Sequence, residues 1–179
     1  TEPWQTDPQL AGGGVLLYGC YEIIDQIVVN FGIPQKVYAL LGNTAADKQQ
    51  RLYLTENTAV LTMKFSDTFF AVLRANNSFE SAEKELKLYG KEQILTINDG
   101  EFVISEENGQ ERQKLKYSDD AAVRATSMLE NFALSILSAT DTKLRTSGKD
   151  NLAAMAVIEA AYLSAKTGFP EEPGRILEM

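Results

Sequence analysis

The sequence predicts an α+β domain of two layers: an open, mainly antiparallel sheet with helices packed on one face. Three observations predict it. An apolar helical period runs from Leu16 to Phe31. From Gln35 to about Tyr117 the period changes to two, broken by turn residues. Past Asp119 the helical period returns in two segments. At 179 residues, the chain is long enough for a single domain, 1–179, with a sizeable core. A hydrophobic fraction of 44% with 23% charged residues fits a globular chain rather than a disordered one.

In the first helix Leu16, Cys20, Ile23, Ile24, Ile27 and Phe31 recur at helical spacing. Gly12 to Gly14 precede it, Gly32 is placed to cap its C-terminus, and Pro34 prevents continuation. The segments "KVYALLG", "RLYLTEN", "AVLTMKFSD", "FFAVLRANN", "KELKLYG", "EQILTIND", "EFVISEEN" and "RQKLKYS" have strand character. Ser66-Asp67, Asn76-Asn77-Ser78, Asp99-Gly100 and Asn108-Gly109 mark turns between them, the last two being hairpin signals. Short connections favour antiparallel neighbours. In Asp119–Ala139 the spacing turns Val123, Leu129, Phe132, Ile136 and Leu137 towards a core. Asp150 or Asn151 can cap the final helix, in which Leu152, Met155, Ile158 and Tyr162 recur and alanines permit close packing. Gly168 ends it, and "FPEEPGRILEM" is expected as a loop with one short strand. The uncovered sheet face calls for a second subunit.

Composition narrows the chemistry. A net charge of −8 with scattered basic residues argues against nucleic acid and anionic membrane as partners. No apolar run is long enough to cross a bilayer, and the polar opening "TEPWQTDPQL" is unlike a signal peptide. The start at Thr1 rather than Met leads us to expect a fragment or a processed product. The single cysteine, Cys20, excludes an internal disulfide and any multi-cysteine zinc site, and suits the cytoplasm. With no histidine present, Ser-His and Cys-His pairs and histidine metal sites are excluded. Chemistry is left to carboxylates, tyrosine, lysine or a bound cofactor.

Two motifs have two readings each. The glycine run "AGGGV" can hold an anion at a helix start, or it can allow close backbone packing there. It lacks the lysine of a P-loop and the G-x-G-x-x-G arrangement of a dinucleotide site. Tyr18, Glu22 and Asp25 lie at i, i+4 and i+7 and so share a helix face. A tyrosine hydroxyl and a carboxylate at this spacing can handle a proton between them, or the three can form a solvated polar stripe with Gln26.

The segment "WQTDPQLAGGGVLLYGCYEIIDQIVVNFGIPQKVYA" resembles the start of the C-terminal domain of the Gfo/Idh/MocA family of NAD(P)-dependent sugar and polyol oxidoreductases. In the family a tryptophan-arginine, an Asp-Pro and a glycine-rich turn precede a D-x-x-x-H-x-I-D helix. The similarity continues through "TENTAVLTMKFSD", "LKLYGKEQILTI" and "GKDNLAAMAVIEAAYLSAKTG", spanning essentially the whole chain in the family's order.

The resemblance implies the same sheet-and-helix fold, a domain that shapes a sugar or polyol pocket, and homodimers or homotetramers built through the sheet face. It also implies that NAD or NADP sits on an upstream Rossmann domain, which brings a lysine from an E-K-P motif; neither is present in these residues. This domain alone would bind no cofactor and would not turn over. Counted from Gly12, the family's aspartate falls on Tyr18 and its histidine on Glu22. Asp25 matches the second aspartate, and Gln5 stands where arginine is common. Tyr18 and Glu22 are therefore the candidate acid-base residues, and Trp4, Gln5, Tyr21 and Asp25 the candidate substrate-pocket residues. Free glutamate titrates near 4.3 and tyrosine near 10, so either needs a marked shift to act as histidine does. The replacement of both positions leaves a second expectation open: a non-catalytic sugar sensor or scaffold of the same fold.

Overall fold

The computed structural model of the chain describes residues 3–44, 54–77, 85–98, 100–117, 120–137, 144 and 147–178. The chain divides into two compact units, Thr1–Glu80 with Gly148–Met179, and Ser81–Ser147. The class is α+β with open antiparallel sheets. The strands form two ladders rather than one, because period-two alternation identifies strands without specifying which ones pair.

The first unit opens with a 3-10 turn, Pro3–Thr6, and a short helix α1, Pro8–Ala11. Asp7 caps α1 by accepting from the Gln9 amide, and Gly12 ends it at φ 75°. A π-helical turn, Val15–Gly19, then leads into α2, Tyr21–Phe31. The expected single helix is thus bent, by 57° between Pro8–Gly19 and Tyr21–Phe31. As expected, Gly32 closes α2, donating to the Val28 carbonyl.

Strands β1 (Lys36–Gly42), β2 (Thr58–Lys64) and β3 (Phe70–Asn76) pair in sequence order. Their inner face buries Val37, Ala39, Ala59, Leu61, Met63 and Leu73. Helix α4, Leu152–Thr167, and α2 pack on that face. Leu16, Ile24, Leu61, Met63 and Ile158 are fully buried, each contributing about 1.5–3 kcal/mol. The buried stripe of α4 is Ala154, Val157, Ile158, Ala161 and Ser164, whereas Leu152 and Met155 are exposed. The alanines decide this, since their small side chains let the helix approach the sheet.

The outer edge of β1 is closed by other segments. The Ala39 amide donates to the Ser164 hydroxyl at 3.1 Å, and Val37 exchanges both backbone hydrogen bonds with Glu171. This satisfies an edge that would otherwise invite another strand. The tail supplies that one bridge and then a short helix α5, Pro173–Leu177, in place of the expected loop and strand. Gly168 ends α4 at φ 74° as expected, but Asn151 gives its N-terminus no side-chain cap. Asn151 accepts instead from the Tyr21 hydroxyl. Leu54–Asn57, expected as strand, is irregular, and the rest of "RLYLTEN" (51–53) lies outside the described residues.

In the second unit β4 (Glu85–Tyr89), β5 (Gln93–Asn98), β6 (Glu101–Glu106) and β7 (Glu111–Lys116) form an antiparallel meander. Glycines at positive φ, Gly100 and Gly109, make the two expected hairpins, although Asp99 lies outside the described residues. One face aligns Leu86, Ile97, Phe102 and Leu115; the other carries Glu101 paired with Lys114 at 2.9 Å. Helix α3, Ala121–Leu137, buries none of its side chains. Val123, Leu129, Phe132, Ile136 and Leu137, expected in a core, are exposed. Periodicity locates an apolar stripe on a helix without locating what covers it. No single helix among the described residues is long and apolar enough to cross a bilayer.

Cys20 sits in the first unit's core, where burial and then the Glu56 charge push its thiol up to about 11. Unfolding lets the thiol ionise at its ordinary value of 9.0. A raised folded pKa stabilises fully below the unfolded value and is lost on the way up to the folded one. Urea midpoints should therefore fall between pH 9 and pH 11 more steeply in the native chain than in Cys20→Ala. Parallel curves would contradict this.

Candidate functional site

The glycine run and the Leu54–Asn57 segment meet at one carboxylate. Glu56 Oε1 accepts from the Gly14 amide at 2.8 Å, the Leu16 amide at 3.1 Å and the Tyr162 hydroxyl at 2.8 Å. Its backbone carbonyl accepts from the Val15 amide at 3.0 Å. The anion at this helix start is therefore the chain's own. Both readings of "AGGGV" hold at once: it binds an anion, and it does so by close packing. A Cβ on Gly14 would stand 2.0 Å from the Glu56 carbonyl oxygen, and one on Gly13 would stand 2.1 Å from the Tyr162 hydroxyl. Burial first, and then the hydrogen bond to Glu56, drive the Tyr162 phenol far above its ordinary value. A phosphate has no room at these amides.

Beside this junction lies a cleft of about 630 Å³, within the range of small-molecule sites. Gln5 and Thr6 form one wall. They are held in place because the Thr55 amide donates to the Thr6 carbonyl at 2.9 Å and the Thr55 hydroxyl to the Gln5 carbonyl at 3.1 Å. Tyr18 and Gly19 come from the π-turn, and Glu56 lies at the junction itself. Asn43, Thr44, Asn57 and Asn77 close the rest. These polar residues fix one another: Asn57 donates to the Thr44 hydroxyl at 2.6 Å and accepts from the Thr44 amide, and its carbonyl accepts from the Asn77 amide.

Of the residues singled out from the sequence, Tyr18 and Gln5 line the cleft. The Tyr18 hydroxyl donates to the Ala11 carbonyl at 2.6 Å, and its exposed ring meets Trp4 edge-on at 6.4 Å. Glu22 is exposed in the first turn of α2, beyond the bend at Cys20, and Asp25 is half-buried farther along it. Tyr21 is committed to Asn151, and burial and the Asp25 charge raise its pKa. Trp4, Tyr21, Glu22 and Asp25 are not among the cleft-lining residues described. Tyr18 stands in the π-turn and Glu22 and Asp25 in α2, on either side of the 57° bend. Sequence reasoning missed Glu56, Tyr162 and the asparagine cluster. The signal for the first two was present: Glu56 stands in "TENTA" and Tyr162 in "EAAYLS", both within segments that resemble the family.

The profile described as Gfo/Idh/MocA oxidoreductase family, C-terminal alpha/beta domain, matches residues 1–170. The chain belongs to this family. No curated protein matches it significantly. Solved structures share the fold. An oxidoreductase from Agrobacterium radiobacter, in complex with NAD+, L-tartaric acid and magnesium, superposes with TM-score 0.72 at 15% identity, over 98% of this chain and 53% of its own. Levoglucosan dehydrogenase, in complex with NADH and levoglucosan, gives 0.76 at 12% identity, over 94% of this chain and 53% of its own. The WlbA dehydrogenase from Bordetella pertussis, in complex with NADH and UDP-GlcNAcA, gives 0.66 at 15% identity, over 89% and 45%. The chain thus spans about half the length of these relatives.

The packing at Gly13 and Gly14 predicts a graded effect. Gly14→Ala drives a methyl into backbone and should cost about 3 kcal/mol or more; Gly13→Ala meets the side chains of Tyr162 and Leu17 rather than backbone and should cost about 1–2 kcal/mol. Thermal melts of both variants check the order, and equal or negligible shifts would contradict it.

Proposed function

We propose that this chain is the substrate-binding and oligomerisation domain, 1–179, of an NAD(P)-dependent sugar or polyol oxidoreductase, and that it is inactive without an upstream Rossmann domain. The observation that carries the proposal is the cleft beside Tyr18, in a chain that matches the family's C-terminal domain over 1–170. Occupation of the Gly14 and Leu16 amides by Glu56 supports a cofactor held by the upstream domain.

Bound NAD or NADP would accept hydride from the substrate carbon, and the hydroxyl on that carbon must lose its proton in the same step. Tyr18 presents a phenol to the cleft and can exchange its bond to the Ala11 carbonyl for one to the substrate oxygen. In this reading Glu22, exposed at the start of α2 and outside the described cleft lining, takes the proton that Tyr18 relays from the cleft. Gln5, which also lines the cleft, donates to substrate hydroxyls. Trp4 holds the Tyr18 ring, while Tyr21 and Asp25 order the helix that carries Glu22. The outer face of β1–β3, with Leu40, Phe70 and Val72 more than half exposed, supplies the subunit interface. A cytoplasmic location accords with a lone buried thiol.

A second reading, a sugar-sensing or scaffold protein, is favoured by one observation. The Tyr18 hydroxyl is already committed to Ala11, and Glu22 lies outside the described cleft lining. The test follows NAD(P)H absorbance of the full-length protein across sugars and polyols. Tyr18→Phe and Glu22→Gln should each lower kcat by about 10²–10⁴-fold, with sugar affinity little changed. Light scattering of the same protein should show a dimer or larger. Tight cofactor binding without turnover would move the assignment to the sensor, and a monomer would remove the interface.

A further inference from the structure

The segment from Ala11 to Tyr18 is a closed loop. The Tyr18 hydroxyl donates back to the Ala11 carbonyl at 2.6 Å, and the Tyr18 amide donates to the Gly14 carbonyl at 3.0 Å. In the middle of the loop three successive amides, Gly14, Val15 and Leu16, all donate to Glu56. The outer two reach its carboxylate and the Val15 amide reaches its backbone carbonyl. Such amides at a helix start have no partner in their own turn and must find one outside it. Single π-helical turns are rare, and they are frequent at functional sites. Here the outside partner of the turn is one residue.

Glu56 is held in its turn. The neighbouring Thr55 and Asn57 amides donate to the Thr6 and Gly42 carbonyls at 2.9 and 3.0 Å, which fixes the backbone at residue 56. The Tyr162 hydroxyl on α4 then donates at 2.8 Å to the same carboxylate oxygen that the turn amides use, and so fixes where the side chain points. Gly14, Val15 and Tyr18 line the cleft, whereas Tyr162 is not among its described lining residues. Tyr162 therefore acts on a ligand there through Glu56 and the turn.

We infer that Glu56 and Tyr162 are positioning residues that set where the Tyr18 hydroxyl stands in the cleft, so that Tyr162, from α4, governs turnover at Tyr18. The inference rests on the proposed role of Tyr18 in proton transfer and deepens it, because it adds a residue outside the cleft to the machinery.

The test uses the full-length protein and NAD(P)H absorbance. Tyr162→Phe should lower kcat by about 10–100-fold, since small misplacements of a reacting group have effects of that size, and should change the KM for sugar by less than about threefold. The same substitution in a Tyr18→Phe background should lower kcat by less than about twofold further. Loss of folded protein would lower it equally in both backgrounds. Glu56→Gln, which keeps an acceptor but not the charge, is carried through the same cycle as a second variant. Fluorine NMR of the protein labelled with 3-fluorotyrosine gives a readout apart from activity. The Tyr18 resonance, assigned by its loss in Tyr18→Phe, should move in both variants. An unmoved resonance, or equal loss of kcat in both backgrounds, overturns the inference while leaving the role of Tyr18 standing. Full turnover by Tyr18→Phe, or none by the unaltered protein on any sugar or polyol, overturns both.

Discussion

The Glu56 carboxylate joins three parts of the first unit that are far apart in the chain. It receives the amides after the glycine run and the hydroxyl of Tyr162 on α4, while its own backbone carbonyl receives Val15. A partly buried carboxylate is tolerated only when its oxygens are satisfied, and here one oxygen takes three donors. Much else follows from that junction. Gly13 and Gly14 leave no room for a side chain. Leu54–Asn57 cannot run as a strand, because its polar groups turn to the N-terminal segment. Cys20, held up chiefly by burial and further by the same charge, keeps its proton into the alkaline range.

The junction also shapes the site. It fixes the π-turn that presents Tyr18 and bends the path into α2, so that Glu22 starts a separate helix. It places Glu56 among the cleft-lining residues, and the neighbouring Thr55 holds the Gln5–Thr6 segment there. An internal anion at the glycine run leaves nothing there for a phosphate.

The fold was legible where local chemistry decides it. Gly32 and Gly168 stop their helices, the glycines of Asp99-Gly100 and Asn108-Gly109 turn their hairpins, and alternation along β1–β3 separates buried from exposed residues. It was not legible where tertiary partners decide. Leu54–Asn57 has strand composition but is claimed by the glycine turn. The apolar stripe of α3 is real in periodicity and exposed in the structure. For the site, the sequence pointed to Tyr18 and Gln5, and both line the cleft. Spacing aligned Glu22 and Asp25 with Tyr18 on the assumption of one continuous helix, whereas the chain has a π-turn and a separate α2 with a 57° bend between them. Glu56 was invisible to spacing arguments because its partners lie about 40 and 106 residues away.

The most direct measurement is a double-mutant cycle between Glu56→Gln and Tyr162→Phe, read by urea denaturation at neutral pH. If one carboxylate oxygen binds the glycine turn and α4 together, the two changes should be non-additive, with a coupling of about 1–2 kcal/mol. Strict additivity would mean that Glu56 and Tyr162 do not act on each other, and the account of how Tyr18 and its cleft are held would fail.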